Sequence, residues 1–360
     1  MRVSEKTGRK YCAQPDKLCF KAGSAIALWG HSQYCLQQPA EEKDGDIYIS
    51  AADMARLLPG AKELGGERAG VCAAAASLGL KTSRAAGILI VSLTDEEIRV
   101  EKNKEKALQW SMSPRGVGEL FRAVWLPEAE VVNSYRLYVP SAWKSLKEKK
   151  MAVVLHGAGG KEDDPFDRAE GKLSYYAEKY GFLLLAPNSL VVRSNFGGNV
   201  PPSGMFREPK FTDAQGRPSY YPQAELEENA VAEAGILKII LGVMEEFSVN
   251  KESVFIMGNS MGGIGTFHLG AKYPRLFKAM APAGALPEPS ANDWSAYEGR
   301  TILFIAGTED HNSYEKMAED YEYIKSQGVD IRMVTVGGGV HSTAWTWEIP
   351  QIFEFFNANL

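Results

Sequence analysis

The chain has 360 residues, of which 45% are apolar, and a formal net charge of −5 at pH 7. This size and composition predict one large or two ordinary globular domains and exclude a disordered chain. The negative charge excludes a general nucleic-acid-binding protein, because no basic run is dense enough to offset it. No apolar stretch reaches the length of a membrane span, and residues 1–10 lack a signal-peptide core. We therefore expect either a cytoplasmic protein or an exported protein whose signal peptide has been removed from this sequence.

All four cysteines lie in the first fifth of the chain, at Cys12, Cys19, Cys35 and Cys72. This distribution fits one or two disulfides in an exported module, and it fits free thiols in a small core equally well. No Cys-x-x-Cys pair is present, which argues against structural zinc.

From Tyr11 to about Leu93, short apolar runs alternate with turn residues. The pattern predicts strands at 24–29, 46–50 and 87–93, and alanine-rich helices at 51–58 and 70–78. Gly30-His31-Ser32-Gln33 looks superficially like the turn that carries a nucleophilic serine, but Tyr34 replaces the second glycine. We therefore interpret Ser32 as part of a hairpin turn.

Two units in this stretch look alike. Asp44-Gly45-Asp46-Ile47-Tyr48-Ile49-Ser50 leads into a helix, and Ala73-Ala74-Ala75-Ala76-Ser77-Leu78-Gly79-Leu80 precedes Gly87-Ile88-Leu89-Ile90-Val91-Ser92. The stretch resembles the copper amine oxidase N-terminal-like module of exported bacterial proteins. The resemblance implies export to an extracellular or cell-surface location and binding to a surface or polymer. It does not imply copper chemistry.

Thr94 to Gly118 is highly charged and then contains glycine, which is typical of a linker or surface helix. We place a domain boundary near Gln109. Residues 1–108 are predicted to form a small α+β module, and residues 109–360 a catalytic domain.

From Glu119 onward, strand and helix patterns alternate, which predicts a mostly parallel sheet with helices on both faces. The eight predicted strands are 121–125, 135–139, 152–155, 182–186, 254–257, 279–282, 302–306 and 331–336. Apolar residues at steps of three and four predict a long helix from Leu226 to Met244.

Ser260 lies in the sequence Gly258-Asn259-Ser260-Met261-Gly262, between an apolar β-branched run and a helix pattern. Glycines at both flanking positions let a strand turn sharply into a helix and expose the serine Oγ. The free N–H groups of the helix N-terminus would face the negative charge of a reaction intermediate. The pattern predicts a nucleophilic serine.

A second glycine-rich segment, His156-Gly157-Ala158-Gly159-Gly160, follows the strand 152–155 directly. Such loops let main-chain N–H groups approach an oxyanion, and we expect Ala158 and Met261 to supply the two donors. His156 is interpreted as an orienting or substrate-contacting residue and not as the base.

Two further strands end in candidate partners for Ser260. The strand 302–306 leads to Glu309 and Asp310, and the strand 331–336 leads to His341. We choose Asp310 to orient the base, with Glu309 as the rival one residue away, and His341 as the base. The order serine, acid, histidine is that of α/β-hydrolases.

The other four of the five histidines are weaker candidates. His311 adjoins the acid, His268 lies within the helix after Ser260, and His31 lies in the first module. No His-x-x-x-His pair is present, so we predict no metal and no other cofactor.

The chain from Glu119 to Leu360 resembles the α/β-hydrolase esterases grouped with polyhydroxybutyrate depolymerases, feruloyl esterases and "predicted peptidases". The matching pieces are 155–160, Ala186-Pro187-Asn188, 258–266, Lys272-Tyr273-Pro274, Leu276-Phe277, Ala281-Pro282 and His341. The resemblance implies an α/β-hydrolase fold, a serine esterase and no cofactor. Asn259 departs from the histidine or leucine common at its position, and Leu190 to Pro222 is longer than a simple connection.

The expected reaction is hydrolysis of a carboxylic ester through an acyl-serine intermediate. Expected substrates are feruloyl or acetyl esters of plant polysaccharides, or polyester-like polymers. We predict that the aromatic stretch 190–222 roofs the acyl pocket, so that Phe206 and Tyr221 contact substrate together with His156 and Asn259. The alternatives are a peptidase of the prolyl-oligopeptidase type, although the large propeller domain is lacking, and an inert surface-binding protein.

Overall fold

The computed structural model describes residues 4–11, 15–62, 66–94, 100, 102–203, 208–289, 293–311 and 313–360, without the side chains of residues 102 and 103. The chain forms two compact units. The larger unit comprises Met1–Cys12, Val117–Glu119 and Arg136–Leu360, and the smaller comprises Ala13–Gly116 and Leu120–Tyr135. None of the helices in the described ranges is long and apolar enough to cross a bilayer.

The smaller unit combines two sheets with short helices, in agreement with the predicted α+β class. In chain order its elements are β1 (Lys17–Lys21), β2 (Ile26–Trp29), β3 (Ser32–Cys35), β4 (Glu41–Lys43), β5 (Asp46–Ser50), α1 (Ala51–Leu57), β6 (Arg68–Gly70), α2 (Val71–Ser77), β7 (Lys81–Ala85), β8 (Ile88–Ser92), α3 (Lys102–Ser111) and β9 (Gly118–Leu126). One sheet has the order β9-β3-β2-β1-β8-β7, and the other has the order β4-β5-β6. The predicted strands and helices before Leu93 are confirmed, as is the hairpin turn before Ser32.

The division into units differs from the single boundary near Gln109 in two places. Residues 120–135 belong to the smaller unit because β9 pairs in parallel with β3. Ala123 and Val132 are also buried in the core of that unit. Residues 1–12 belong to the larger unit, where Tyr11 bridges to Val191.

Cys19, Cys35 and Cys72 are free thiols. A framework of two disulfides would need all four cysteines, so that alternative does not hold. Burial raises the pKa of Cys19 to about 11, which keeps this thiol protonated and unreactive at neutral pH. Cys12 lies outside the described residues.

The larger unit alternates strands and helices along the chain. Its further elements are β10 (Val131–Val139), β11 (Lys150–Leu155), α4 (Asp164–Arg168), α5 (Lys172–Tyr180), β12 (Phe182–Pro187), β13 (Phe211–Thr212), β14 (Pro218–Ser219), α6 (Gln223–Glu246), β15 (Val254–Asn259), α7 (Met261–Lys272), β16 (Ala279–Ala283), β17 (Thr301–Gly307), α8 (Tyr314–Ser326), β18 (Asp330–Val336), α9 (Ala344–Trp347) and α10 (Ile349–Ala358). All eight strands predicted after Glu119 are present as β9 to β12 and β15 to β18. The helix predicted at 226–244 is the central part of α6.

Six parallel strands in the order β18-β17-β16-β15-β11-β12 form the sheet of this unit. Every residue of β11, β12 and β16 is buried, as expected for strands covered by helices on both faces. One core cluster joins alternate residues of these strands to α5 and α10. Because the strands are parallel, the loops after β11, β15, β17 and β18 all emerge at the same edge of the sheet.

A buried carboxylate joins α6 to α7. Glu233 is 5% exposed, and its two carboxylate oxygens lie 2.6 Å from Nε2 of His268 and 2.8 Å from Nζ of Lys272. The hydroxyl of Tyr273 donates to the same carboxylate. Burial alone would raise the pKa of Glu233, but these three hydrogen-bonding partners outweigh it and lower the pKa to about 2.

Replacing Glu233 by glutamine should destabilise the protein, because the mutation leaves Lys272 and His268 beside a neutral group. The lowering of the pKa from 4.5 to about 2 corresponds to about 3 kcal/mol of unfolding free energy. Since the native pKa is depressed, this contribution is present above pH 4.5 and is lost as the pH falls toward 2. Urea titrations at pH 7 and pH 3 measure both effects.

Glu227→Gln is the matched control, since Glu227 lies on the same helix but is about half exposed and contacts exposed Lys6 and Gln223 at the surface. Equal stability losses for the two variants at pH 7 would contradict the role given to Glu233.

Candidate active site

Ser260 sits between β15 and α7 in a backbone conformation that is rare for a residue with a side chain, with φ 59° and ψ −121°. Its N–H donates to the carbonyl of Ala283, at 2.9 Å. A Cβ on Gly258 would lie 2.5 Å from the backbone of Gly262, and a Cβ on Gly262 would lie 2.7 Å from the carbonyl carbon of Leu155. Both glycines are therefore required by the close approach of strand and helix, as the sequence predicted.

The loop after β11 lies beside this turn. A Cβ on Gly157 would stand 3.8 Å from Cβ of Ser260, so the loop backbone is in contact with the serine. The N–H of Gly159 donates to the carbonyl of Val192 at 3.1 Å, which fixes the far end of the loop. Neither Ala158 nor Met261 uses its N–H in a hydrogen bond to another described residue. These two donors remain available to a ligand oxygen.

His156 is almost completely buried, and both of its ring nitrogens are occupied. Nε2 accepts the N–H of Ser189 at 3.1 Å, so Nδ1 carries the proton and donates to the carbonyl of Gly157 at 2.8 Å. Burial lowers the pKa of His156 to about 4, which keeps the ring neutral at pH 7. His156 supports the glycine loop and has no ring nitrogen free for a substrate, contrary to its predicted place among the substrate contacts.

The loops after β17 and β18 bring an acid and a histidine together. Oδ2 of Asp310 lies 2.6 Å from Nδ1 of His341, and Asp310 is 7% exposed whereas the histidine side chain is 45% exposed. Nδ1 therefore donates to the carboxylate, and Nε2 keeps a free lone pair.

Hydrogen bonds between the two loops set this pairing. The N–H of Glu309 donates to the carbonyl of Gly339 at 2.9 Å, and the N–H of Gly338 donates to Oγ1 of Thr308 at 2.9 Å. The side chain of Glu309 is about half exposed and pairs with His311 instead. The contact to His341 is made by Asp310 and not by the rival Glu309.

Ser260 and His341 line one pocket with a volume of about 160 Å³. Its described lining consists of Leu155, His156, Gly157, Ala158, Asp164, Pro165, Arg168, Asn259, Ser260, His341, Ser342 and Trp345. No hydrogen bond joins Oγ of Ser260 to His341 among the described side chains, which is common before a substrate tightens such contacts. The predicted nucleophile, base and oxyanion loop are thus brought together.

Sequence reasoning missed one wall of this pocket. Asp164, Pro165 and Arg168 come from α4, and Trp345 comes from α9. Closeness in the chain to the predicted site could have indicated these residues. Helix α4 starts four residues after the glycine loop, and Trp345 follows His341 by four residues.

None of the described residues of the stretch 190–222 is among those that line the pocket, so the described part of the stretch does not form the predicted roof. Phe196 is fully buried, and its ring lies 5.2 Å from that of His156. Gly265 needs to be glycine because a Cβ would meet Cβ of Phe196 at 2.9 Å. Phe196 therefore packs against both His156 and α7. Tyr221 lies outside the pocket lining, and Phe206 lies outside the described residues.

Gly284, directly after β16, is a site residue that the sequence analysis did not identify. Its φ is +53°, and its N–H donates to the carbonyl of Ile305 at 3.0 Å. A Cβ here would lie 2.8 Å from Oδ1 of Asn259 and 3.3 Å from Nδ1 of His341. The absence of a side chain at Gly284 gives the histidine ring the space to reach Asp310.

Gly284→Ala should lower the turnover of p-nitrophenyl acetate by about tenfold or more, because the added methyl group displaces the imidazole. Gly299→Ala is the matched control, since Gly299 has a φ of +70° but no atom within 4 Å of the added Cβ. Each variant should lose about 1 kcal/mol of unfolding free energy, because alanine is less stable than glycine in the left-handed backbone conformation. Similar rates for the two variants would show that contact with His341 is not the cause.

Comparison with known proteins adds to this geometry. Residues 191–351, which include Ser260, Asp310 and His341, match the family model Esterase, described as "Putative esterase". Feruloyl esterase B of Neurospora crassa is 28% identical over 144 residues, which cover 40% of this chain and 41% of that protein. The alignment thus spans about two fifths of this curated relative.

Two solved structures from Staphylococcus aureus cover the larger part of the chain. The fluorophosphonate-binding serine hydrolase FphF is 17% identical in sequence, and its match has a TM-score of 0.50. The match includes 67% of this chain and 99% of the FphF chain. An S-formylglutathione hydrolase is 18% identical in sequence, and its match has a TM-score of 0.49. The match includes 68% of this chain and 100% of the hydrolase chain. With the parallel sheet and the serine turn described above, the likeness to FphF shows that the larger unit has the α/β-hydrolase fold.

Proposed function

We propose that the larger unit hydrolyses carboxylic esters through an acyl-serine intermediate, with Ser260 as nucleophile, His341 as base and Asp310 as the residue that orients it. The observation that carries this proposal is the 2.6 Å contact between Asp310 and His341 at a pocket that also holds the strained serine turn. The esterase family match over residues 191–351 and the curated relative support the same chemistry.

In the first half of the reaction, Oγ of Ser260 attacks the ester carbonyl carbon and gives its proton to Nε2 of His341. The carbonyl oxygen becomes an oxyanion that accepts the N–H groups of Ala158 and Met261. Collapse of this intermediate breaks the bond to the alcohol oxygen, and His341 returns the proton to that leaving oxygen. Water then repeats the sequence on the acyl-serine and releases the acid. Asp310 accepts the hydrogen bond from Nδ1–H of His341 throughout, stays ionised and stabilises the imidazolium.

The substrates we propose are acetyl-type or feruloyl-type esters. A pocket of about 160 Å³ has the volume of roughly five water molecules, which suits a small acyl group. The name of the Neurospora relative favours the aromatic acyl group. Of the four predicted substrate contacts, His156 and Asn259 line the pocket, and we retain Asn259 because both ring nitrogens of His156 are occupied.

For the smaller unit we keep the proposal that it binds a surface or polymer, and we keep an extracellular or cell-surface location for the protein. Both rest on the resemblance of residues 11–93 to modules of exported proteins and on the feruloyl esterase relative.

Ser260→Ala should reduce hydrolysis of p-nitrophenyl acetate by at least about 10³-fold, because the mutation removes the hydroxyl that is proposed to attack the ester. Its melting temperature should stay within a few degrees of the parent, since the hydroxyl makes no hydrogen bond to another described residue. A fluorophosphonate probe should label the parent protein and not the variant, as mass spectrometry of the labelled peptide would reveal. Retained turnover with an unchanged melting curve would remove Ser260 from the mechanism.

Asp310→Asn should cost about 10³-fold or more in kcat, because the amide favours the wrong histidine tautomer. Glu309→Gln is the control one residue away and should change kcat less than about threefold, since the side chain of Glu309 is about half exposed and pairs with His311 and not with His341. Initial rates on the same ester compare the two variants. The reverse order of losses would transfer the orienting role to Glu309.

A further inference from the structure

A second depression on the larger unit lies where α5 contacts α10. Its volume is about 400 Å³, larger than that of the serine pocket, and it is lined by Glu170, Gly171, Lys172, Tyr175, Tyr176 and Pro350. Tyr175 is 63% exposed, an unusual degree for a large ring. We call this depression the α5–α10 groove.

The floor of the groove is rigid. The rings of Tyr176, Tyr180 and Phe353 stack on one another with centroids 6.1 to 6.4 Å apart. Leu173 of α5 is fully buried in the main core, so the helix cannot shift easily. Tyr175 packs edge-on against Tyr176 with centroids 5.0 Å apart, and it presents its ring on a fixed support.

The groove is connected to the serine pocket through α9, a helix of four residues. Trp345 lines the pocket, while the carbonyl of Thr346 accepts a hydrogen bond from Nζ of the groove residue Lys172 at 3.3 Å. Trp347 is 47% exposed and precedes the groove residue Pro350 by three positions. Since α9 rises only about 6 Å in total, Trp345 at the pocket and Lys172 at the groove are joined through one short helix.

The chemistry of the groove suits an uncharged chain rich in hydroxyl groups. Tyrosine and tryptophan rings offer flat apolar faces with polar tips, on which the C–H face of a sugar ring can stack. Glu170 accepts hydrogen bonds, Lys172 donates them, and their charges cancel. A charged polymer would be repelled by one of the two, and an aliphatic polyester would leave both without partners.

We propose that the α5–α10 groove, together with Trp347, binds a neutral polysaccharide chain whose ester group enters the serine pocket. The inference rests on the proposed esterase function and gives it a substrate class. Small esters bypass the groove, so its loss affects polymeric substrates selectively.

The test compares the double variant Tyr175→Ala/Trp347→Ala with Tyr323→Ala, a control that removes a 43% exposed tyrosine from α8. Acetylated xylan and p-nitrophenyl acetate are the two substrates, and binding to unesterified xylan and mannan is measured by affinity electrophoresis. We expect the double variant to lose about tenfold in kcat/KM on acetylated xylan through a higher KM. It should also lose retardation by the unesterified glycans, whereas its rate on p-nitrophenyl acetate and its melting curve should match those of the parent.

Three results would overturn the proposal: an unchanged kcat/KM of the double variant on the polymer, an equal loss in Tyr323→Ala, or a parent protein that neither binds nor deacetylates the glycans. A selective loss on polyester particles instead would also overturn it in favour of an apolar chain. Failure of the esterase function itself would look different, since the parent would then leave p-nitrophenyl acetate intact.

Discussion

The site depends on the close approach of β15 and α7 around Ser260. A residue with a side chain held at φ 59° costs about 1 to 3 kcal/mol, and the surrounding structure must enforce it. Here Gly258 and Gly262 allow strand, helix and the backbone of Leu155 to approach so closely that no other residue type fits. The same approach places the loop after β11 against the serine. The proposed nucleophile and the proposed oxyanion donors are therefore positioned by a single packing constraint.

In the described part of the larger unit, two carboxylate–histidine pairs have the same nitrogen–oxygen distance of 2.6 Å, and their surroundings assign them different roles. His268 is 20% exposed and shares its carboxylate, Glu233, with Lys272 and Tyr273. That carboxylate is fully used in fastening α7 to α6. The side chain of His341 is 45% exposed and lines a pocket. It packs against Gly284, which has no side chain to displace the ring. Only the second pair can exchange a proton with a ligand.

The pocket and the α5–α10 groove divide the tasks of chemistry and recognition. The pocket is small and is formed by loops whose backbones are fastened by hydrogen bonds, as electrostatic preorganisation requires. The groove is larger, and α5 contributes to it the exposed ring of Tyr175. Because α9 supplies Trp345 to the pocket and accepts a hydrogen bond from Lys172 of the groove, the short segment after His341 contacts both surfaces.

The sequence by itself determined the eight strands, the serine turn, the glycine loop and the order of Ser260, Asp310 and His341, because each depends on local periodicity or short spacing. Tertiary structure decided what depends on distant segments. The interlocked loops after β17 and β18 selected Asp310 over Glu309, and pairing of β9 with β3 moved residues 120–135 into the smaller unit. Phe196, which was expected in the roof of the pocket, is buried against His156 instead. Gly284 is needed as a glycine because it lies against Asn259 and His341, which belong to β15 and to the loop after β18. Such contacts join residues far apart in the chain, and no local pattern encodes them.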